Sequence, residues 1–545
     1  MPDPLKFVNL RQTSQAEQAD PRQSRNLAGG WAFTVDRTAR LHRFLTIGTE
    51  GGTYYASEQA ITKDNAAVVL DWARNSPAEL VTEVVKISQA GRAPRNNPAL
   101  FALAAAAGLG DDAGRKAALA ALPQVARTGT HLFTFTGYVQ QFRGWGRGLR
   151  NAVGDWYLDK DPGDAAYQAI KYRQRNGWTH RDVLRLSHPF TGDAVTQQSL
   201  PHKALFDFIC GRDHYPPDLP PIVQAYREAQ VTESVPGWVR LIEDNPALSW
   251  EMLPDQALGE AKVWHALIQA GMPQTALMRQ LPRLTRLGVV GPQSPATTAK
   301  VAAQLLDPAR LNRARVHPVN VLVALKTYAS GHSLRGDTSW EPVRQITDAL
   351  DAAFYAAFGA VEPAGKRTML ALDVSRSMGA LAAGLPVTCR EITAALALVT
   401  AATEPEYMIC GFTSAGGWSN FRDTGLTVLN VSPRQRLDDV LRTITGLSFG
   451  ATDCSLPMTE ALKRGWEFDT MIIMTDNETW AGDIHPHQAL RQYRERTGIN
   501  TRLAVVAITP TEFTVADPAD PGTLDLSGFD SAVPQLLADF SRGDI

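Results

Sequence analysis

The sequence predicts a multidomain chain. An all-α part made of repeated helices spans residues 1–360, and a doubly wound α/β domain spans residues 361–545. Three observations lead there. A length of 545 residues exceeds what one hydrophobic core organises, so at least two domains are expected. From about residue 56 to 360, Ala- and Leu-rich stretches are punctuated by Asn-Pro, Gly and Pro, the usual helix breakers. After that, apolar runs with the look of buried parallel strands end abruptly in carboxylates, as at Asp373 and Asp476.

In chain order, residues 1–40 are polar and rich in Arg and Gln, with few strand or helix signals, and read as an arm packed on the surface or partly mobile. Helical patterns follow, as in Pro98-Ala-Leu-Phe-Ala-Leu-Ala-Ala-Ala-Ala107 and Val321-Leu-Val-Ala-Leu-Lys-Thr-Tyr328. Only Thr130-His-Leu-Phe-Thr-Phe-Thr136 hints at strand alternation, and it is short. Many helices without an obvious long core helix predict stacked antiparallel pairs of the solenoid type; an irregular bundle is the alternative, since no strict period is present.

Residues 127–188 stand out for charge, with ten Lys and Arg against five Asp. Lys171 and Arg175 are spaced to share one helix face, as are Arg143, Arg147 and Arg150, although Gly144, Gly146 and Gly148 weaken a helix there. Trp145, Trp156, Tyr157, Tyr172, Trp178, His131, His180 and His188 are interleaved. Cations pair with phosphates and rings stack on unpaired bases. A solvated basic face over an aromatic core is the other reading of the same composition.

The C-terminal part opens on Met369-Leu-Ala-Leu-Asp-Val-Ser-Arg-Ser-Met378, a strand-like run whose Asp373, Ser375 and Ser377 occupy alternate positions in one tight loop. Such a loop at a sheet edge is either a cradle for a hard divalent cation or a plain strand-to-helix cap. Gly450-Ala-Thr-Asp-Cys-Ser-Leu-Pro-Met458 adds Thr452 from a loop opening a helix, and Met471-Ile-Ile-Met-Thr-Asp476 adds a second strand ending in a carboxylate.

Composition narrows the field. A hydrophobic content of 44% with 20% charged residues describes a soluble globular chain. No run approaches the length of a membrane span, and the first residues lack the pattern of a secretory signal. Four scattered cysteines without a C-x-x-C pair argue against disulfides and structural zinc and fit the cytoplasm. The net charge of −2 is uneven: residues 366–545 carry 15 Lys and Arg against 22 Asp and Glu, leaving 39 against 34 for residues 1–365. An anionic partner therefore suits the first part alone.

Two resemblances sharpen this reading. Asp373, Ser375, Ser377, Thr452 and Asp476 together resemble the metal-ion-dependent adhesion site of von Willebrand factor A domains. The block Lys171-Tyr-Arg-Gln-Arg-Asn-Gly-Trp-Thr-His-Arg-Asp-Val-Leu-Arg-Leu-Ser-His188 is similar to the signature of the Ro ribonucleoprotein family, whose helical part is called the TROVE module. Gly144-Trp-Gly-Arg-Gly-Leu-Arg150, His317-Pro-Val-Asn-Val-Leu322, Gly331-His-Ser-Leu-Arg-Gly336, Ala349-Leu-Asp-Ala-Ala-Phe-Tyr355, Thr475-Asp-Asn-Glu-Thr-Trp480 and Val515-Ala-Asp-Pro518 match as well.

The resemblance implies HEAT-like helical repeats closing into a ring with a positively charged hole, completed by the von Willebrand domain. It implies that single-stranded 3′ ends of misfolded non-coding RNA enter the hole and that a structured Y RNA binds the outer surface. Lys171, Arg175 and His188 match RNA-contacting positions, and Arg143, Arg147 and Arg150 extend the basic face. It further implies a Mg2+ ion at the adhesion site, a 3′-to-5′ exoribonuclease as partner, a monomer, and no catalysis by the chain itself. Arg376 and Ala451 depart from the family pattern, which has a small residue at the first place and Gly at the second, and Arg376 is placed either to neutralise Asp373 or Asp476 or to point to solvent. The competing functions are a metal-dependent hydrolase or nuclease built on Asp373 and Asp476, which lacks an evident general base, and a protein-interaction scaffold, which leaves the basic block unused. A nuclease assay in Mg2+ and the absorbance of the purified protein at 260 nm separate the three.

Overall fold

The computed structural model describes residues 12–47, 66–93, 95–189, 200–212, 218–314, 316–333, 337–358, 361–382, 387–414, 425–432, 435–447, 450–508, 512–528 and 532–545. Two compact units are present. One gathers Met1–Val68, His317–Val319 and Phe358–Ile545, and the other Val69–Val316 and Asn320–Ala357. The N-terminal segment thus groups with the α/β domain rather than with the helices that a cut at residue 360 would assign it to. Residues 359–360, where that cut falls, lie outside the described residues, as do residues 1–11 of the expected arm and residues 334–336 of the Gly331–Gly336 match.

The arm is more ordered than its composition implies. Strands β1 (Gln23–Arg25) and β2 (Trp31–Thr34) form an antiparallel pair, and a helix follows at Arg37–Ile47. The β1–β2 turn is set by Asn26, whose Oδ1 accepts the Gly30 N–H at 2.8 Å, and by Gly29 at φ +94°. Gly30 has no room for a side chain, because a Cβ there would lie 2.1 Å from the Thr479 carbonyl oxygen.

The helical expectation holds over the described part of residues 67–356. Asn97–Leu109 is a core helix after all: Pro98 through Ala107 are all buried, and the segment has no charge on any face. Pro77–Ala90, Asp112–Ala120 and Gly129–Val139 pack around it. The last of these contains Thr130–Thr136, so the hint of strand alternation there was misleading. Helical spacing sends Leu132, Phe133, Phe135 and Val139 into the core. The hydroxyls of Thr134 and Thr136 return to the carbonyls of Thr130 and Leu132 at 2.9 Å, which removes the usual conflict between Thr and a helix. Among the described residues, no helix is long and apolar enough to cross a membrane.

One hairpin interrupts the helices. Strands β3 (Gln174–Arg175) and β4 (Trp178–Thr179) are joined by Asn176 and Gly177 at φ 52° and 78°, the left-handed pair that a two-residue hairpin turn requires. Thr179 then caps the helix His180–Ser187 in a reciprocal box with Asp182. His180 is buried against Tyr157, whose hydroxyl lies 2.6 Å from its Nδ1.

The α/β domain contributes β5 (Thr368–Asp373), β6 (Tyr407–Phe412), β7 (Leu426–Leu429), β8 (Thr470–Thr475), β9 (Arg502–Ala507), β10 (Phe513–Thr514) and β11 (Thr523–Ser527). The sheet order is β11-β9-β8-β5-β6-β7, parallel except for β7 at the edge, while β10 extends the β1–β2 pair. The chain winds outward from β5 through β6 on one side and from β8 through β9 on the other. The direction reverses between β5 and β8, where open α/β sheets leave a crevice beyond the strand ends. Helix Cys389–Thr403, capped by a Thr388–Glu391 box, is buried along most of its length.

Two expected outcomes follow from buried charge. Arg43 is 2% exposed and donates to both oxygens of Asp525 at 3.0 and 2.7 Å. Asp525→Ala removes both of these charge-assisted hydrogen bonds from a buried guanidinium and should cost about 3–5 kcal/mol, seen as a lower denaturation midpoint, whereas Arg43→Met/Asp525→Ala should recover most of the loss. Burial lowers the pKa of His180 from 6.5 to about 4. The unfolded chain therefore takes up the proton first, so stability should be complete above pH 6.5 and decline as the pH falls to about 4. The loss is about 3 kcal/mol from this group. Unfolding measured between pH 7 and 4 should show that slope, and His180→Gln should reduce it by this group's share, with His131 and His487, lowered to about 4 in the same way, keeping the rest.

Candidate cation and nucleic-acid sites

β5 and β8 are paired neighbours, with Leu372 opposite Met474, so Asp373 at the end of one strand and Asp476 just beyond the other reach the same edge. Asp373 is fully buried. Its Oδ1 accepts the Ser375 N–H at 2.8 Å and its Oδ2 accepts the Thr475 hydroxyl at 2.7 Å. Burial raises its pKa, the charge of Asp476 adds to that, and the two hydrogen bonds oppose it. Ser375 and Ser377 touch through their hydroxyls at 2.8 Å. Thr452 is buried in a loop laced to the one after β8, its carbonyl accepting the Trp480 and Ala481 N–H groups at 3.1 Å. Asp373 and Asp453 both bear on the Cys454 thiol, which burial pushes well above its usual value.

The donor set fits a hard divalent cation. Among the described residues no three His, Cys, Asp or Glu come together in a metal-binding cluster. A cation at this edge would be held by Asp373 and Asp476 with hydroxyl oxygens of Ser375, Ser377 and Thr452, a set of oxygen donors that suits Mg2+ and does not suit zinc. Arg376 is exposed. The nearby cation is instead Arg390, which donates to the Ser375 carbonyl at 3.2 Å and whose charge acts on Asp373. It sits in the first turn of helix Cys389–Thr403, and sequence spacing gave no sign of it.

The N-terminal segment holds this edge from the outside. Gln15 donates to Asp453 and to the Ile484 carbonyl, both at 2.8 Å, and accepts from the Thr479 hydroxyl. Asn26 donates to the Thr479 carbonyl at 2.7 Å, and the Ala28 N–H donates to Glu478 at 2.9 Å. Burial pushes Glu478 up to about 7 against that hydrogen bond.

The basic block folds differently from a single helix face. Lys171 ends the helix Pro162–Lys171, and Arg175 lies on β3 beyond it, so their spacing of four is not a helical one. The Asn-Gly pair at 176–177 was the missed signal. Lys171 is half-buried and donates to the Tyr167 hydroxyl at 2.8 Å. Burial opposes its charge, but Tyr172, Tyr167 and Glu251 outweigh that and leave its pKa raised. His188 is exposed and caps the helix His180–Ser187 at φ 46°.

Arg147 and Arg150 are exposed in the first turn of helix Arg147–Leu158. Arg143 does not join them: it precedes that helix and is spent on the Ala107 carbonyl at 3.0 Å. Of the interleaved rings, His180, Trp156 and Tyr157 are core residues. Trp145 and Trp178 are half-buried partners, with ring centres 6.2 Å apart. Arg147, Arg150, Arg175, Arg181 and Arg185 are all exposed and form no ion pair with the described residues.

Known proteins align with both parts of the chain. The TROVE domain model matches residues 24–216 and 242–328, and the Ro60 vWA domain model matches residues 367–541. An RNA-binding protein RO60 of Deinococcus radiodurans is 38% identical over 544 residues, 99% of each chain. One of Caenorhabditis elegans is 33% identical over 97% of this chain and 92% of its own. The crystal structure of the Deinococcus radiodurans RO (RSR) protein superposes with a TM-score of 0.70 at 37% identity, covering 94% of this chain and all of that one. Matches that span both units, at this identity and with this structural likeness, mean that the chain belongs to the Ro family, as a TROVE domain joined to a von Willebrand factor A domain.

Proposed function

We propose that this protein binds RNA through the face carrying Lys171, Arg175 and His188. The observation that carries the reading is the group of exposed arginines without carboxylate partners around that block. A cation left unpaired on a folded surface is available to phosphate. Relatives named as RNA-binding proteins support the same reading. The RNA is a small structured Y-type RNA on the outer face. Misfolded non-coding RNA with a single-stranded 3′ end is the second ligand, taken into the hole of a ring. The protein works in the cytoplasm, as a monomer, in RNA quality control, maturation or decay alongside a 3′-to-5′ exoribonuclease.

The cation edge serves ligation rather than turnover. Asp373, Ser375, Ser377, Thr452 and Asp476 hold Mg2+, and with mainly neutral hydroxyl ligands the ion would favour a carboxylate offered by a partner. No side chain is assigned as a general base. In calorimetry, Mg2+ should bind the wild type and fail to bind Asp373→Ala. Labelled RNA incubated with the protein and Mg2+ should stay intact; cleavage that disappears in Asp373→Ala would make the chain a nuclease.

Salt dependence tests the RNA face. Affinity for an RNA with a single-stranded 3′ tail should fall steeply with salt, at about 0.7–0.9 log units per phosphate contact. Lys171→Ala/Arg175→Ala should weaken binding and flatten the slope by about 1.5 units. His188→Ser should cost about 1–3 kcal/mol if the ring stacks on a base, with the slope unchanged. Wild-type affinity and slope in the double variant would reduce the block to a solvated face.

A further inference from the structure

Gln15 stands 438 residues from Asp453 in the chain, yet it is wholly buried against the loop that carries Thr452. We infer that Gln15 is a positioning residue for the cation site, and that seating of the N-terminal segment and uptake of the ion strengthen each other. The inference rests on the Mg2+ reading above and adds to it a residue outside the five ligands.

The main chain fixes Gln15 first. Its N–H donates to the Gly482 carbonyl and its own carbonyl accepts the Trp31 N–H, both at 2.9 Å, so it is stitched between the loop after β8 and the start of β2. The side chain then uses its donors and its acceptor. Nε2 donates to Asp453 Oδ1 and to the Ile484 carbonyl, both at 2.8 Å, and Oε1 accepts the Thr479 hydroxyl. An amide NH2 carries two donors, so none is left over. Gly482 keeps the room for this, since a Cβ there would collide with the Gln15 amide and the Asp453 carboxylate.

These partners are neighbours of the cation ligands. Asp453 follows Thr452, and its Oδ1 also accepts the Ser455 N–H and hydroxyl at 2.9 and 2.6 Å. The Thr479 hydroxyl that donates to Gln15 accepts the Cys454 N–H at 3.0 Å. The Cys454 thiol donates to the Thr475 hydroxyl at 3.8 Å, and that hydroxyl donates to Asp373. One run of hydrogen bonds thus joins Gln15 to the Thr452 loop and to the Asp373 carboxylate. Outer partners of this kind fix the direction in which ligands point, and their loss lowers metal affinity by about 10–100-fold. Coupling between two binding events is reciprocal, so an ion that holds Thr452 and Asp373 in place also holds the segment around Gln15.

The test is a calorimetric Mg2+ titration of the full chain, on variants that circular dichroism shows to be folded. Gln15→Met keeps the volume and removes the three side-chain bonds, and should weaken Mg2+ binding by about tenfold. Thr479→Val should do the same, whereas Thr479→Ser, which keeps the hydroxyl, should bind like wild type. Arg22→Ala removes an ion pair between the same segment and Asp517 but no bond to the two loops, and should leave the affinity unchanged. Hydrogen exchange of peptides spanning Thr13–Trp31 should be slowed by Mg2+ in wild type and not in Gln15→Met. If Gln15→Met does not fold, the two Thr479 variants carry the comparison. Wild-type affinity in both Gln15→Met and Thr479→Val, or an equal loss in Arg22→Ala, overturns the role of Gln15 and leaves the cation reading standing. Exchange that Mg2+ leaves unchanged in wild type overturns the coupling. Wild type that takes up no Mg2+ overturns the cation reading and this inference with it.

Discussion

A carboxylate sealed inside a sheet edge, with a second carboxylate acting on it, is the constraint around which the α/β domain is arranged. Asp373 is wholly buried, and Asp476 raises the cost of its charge. An unpaired buried anion costs far more than any single hydrogen bond returns, so the surroundings must supply positive potential and donors from several directions. They come from the Ser375 N–H, the Thr475 hydroxyl, the start of helix Cys389–Thr403 and the Arg390 guanidinium. That helix begins where its dipole favours negative charge. Even so, two acids among hydroxyls remain better suited to a doubly charged ion than to any of these partial substitutes.

In the helical unit the governing constraint is local. The chain leaves the helix Pro162–Lys171, reverses through Asn176 and Gly177, and enters the next helix through the Thr179–Asp182 box. Each step is fixed by backbone chemistry rather than by burial. His180 and Tyr157 anchor the inner side, and the outer side is left to arginines. A rigid turn with buried imidazole beneath and guanidinium above presents charge without needing acidic neighbours to hold it in place.

Much of this was legible in the residues. Helical punctuation by Asn-Pro and Gly placed the all-α part, and the apolar runs ending at Asp373 and Asp476 placed two strands of the sheet, because both patterns depend on local sequence alone. What failed was periodicity read across a break. Lys171 and Arg175 looked like one helix face because the Asn-Gly turn between helix and hairpin was overlooked, and Arg143 looked like a member of the next helix because three glycines obscured its start. Thr130–Thr136 only hinted at a strand, because Thr and Phe alternate there, and back-bonded hydroxyls let its Thr residues sit in the helix that the surrounding pattern implied. Arg390, which reaches the Ser375 carbonyl through the fold of the loop between them, and the clasp of Gln15, Asn26 and Ala28, which pairs across long stretches of chain, leave no local pattern to read.

That clasp sets an order of events. Gln15 meets Asp453 and Ile484, and Asn26 meets Thr479, across separations of 438 to 469 residues. A ribosome adding about 5–20 residues per second emits the first of these partners roughly half a minute to a minute and a half before the last. During that interval the N-terminal strands have no surface to complete them, while the helices that follow can already fold on contacts between neighbours. The domain carrying the cation edge therefore closes only after the helices between its two contributing stretches have been made, and it closes around residues made well before the rest of it.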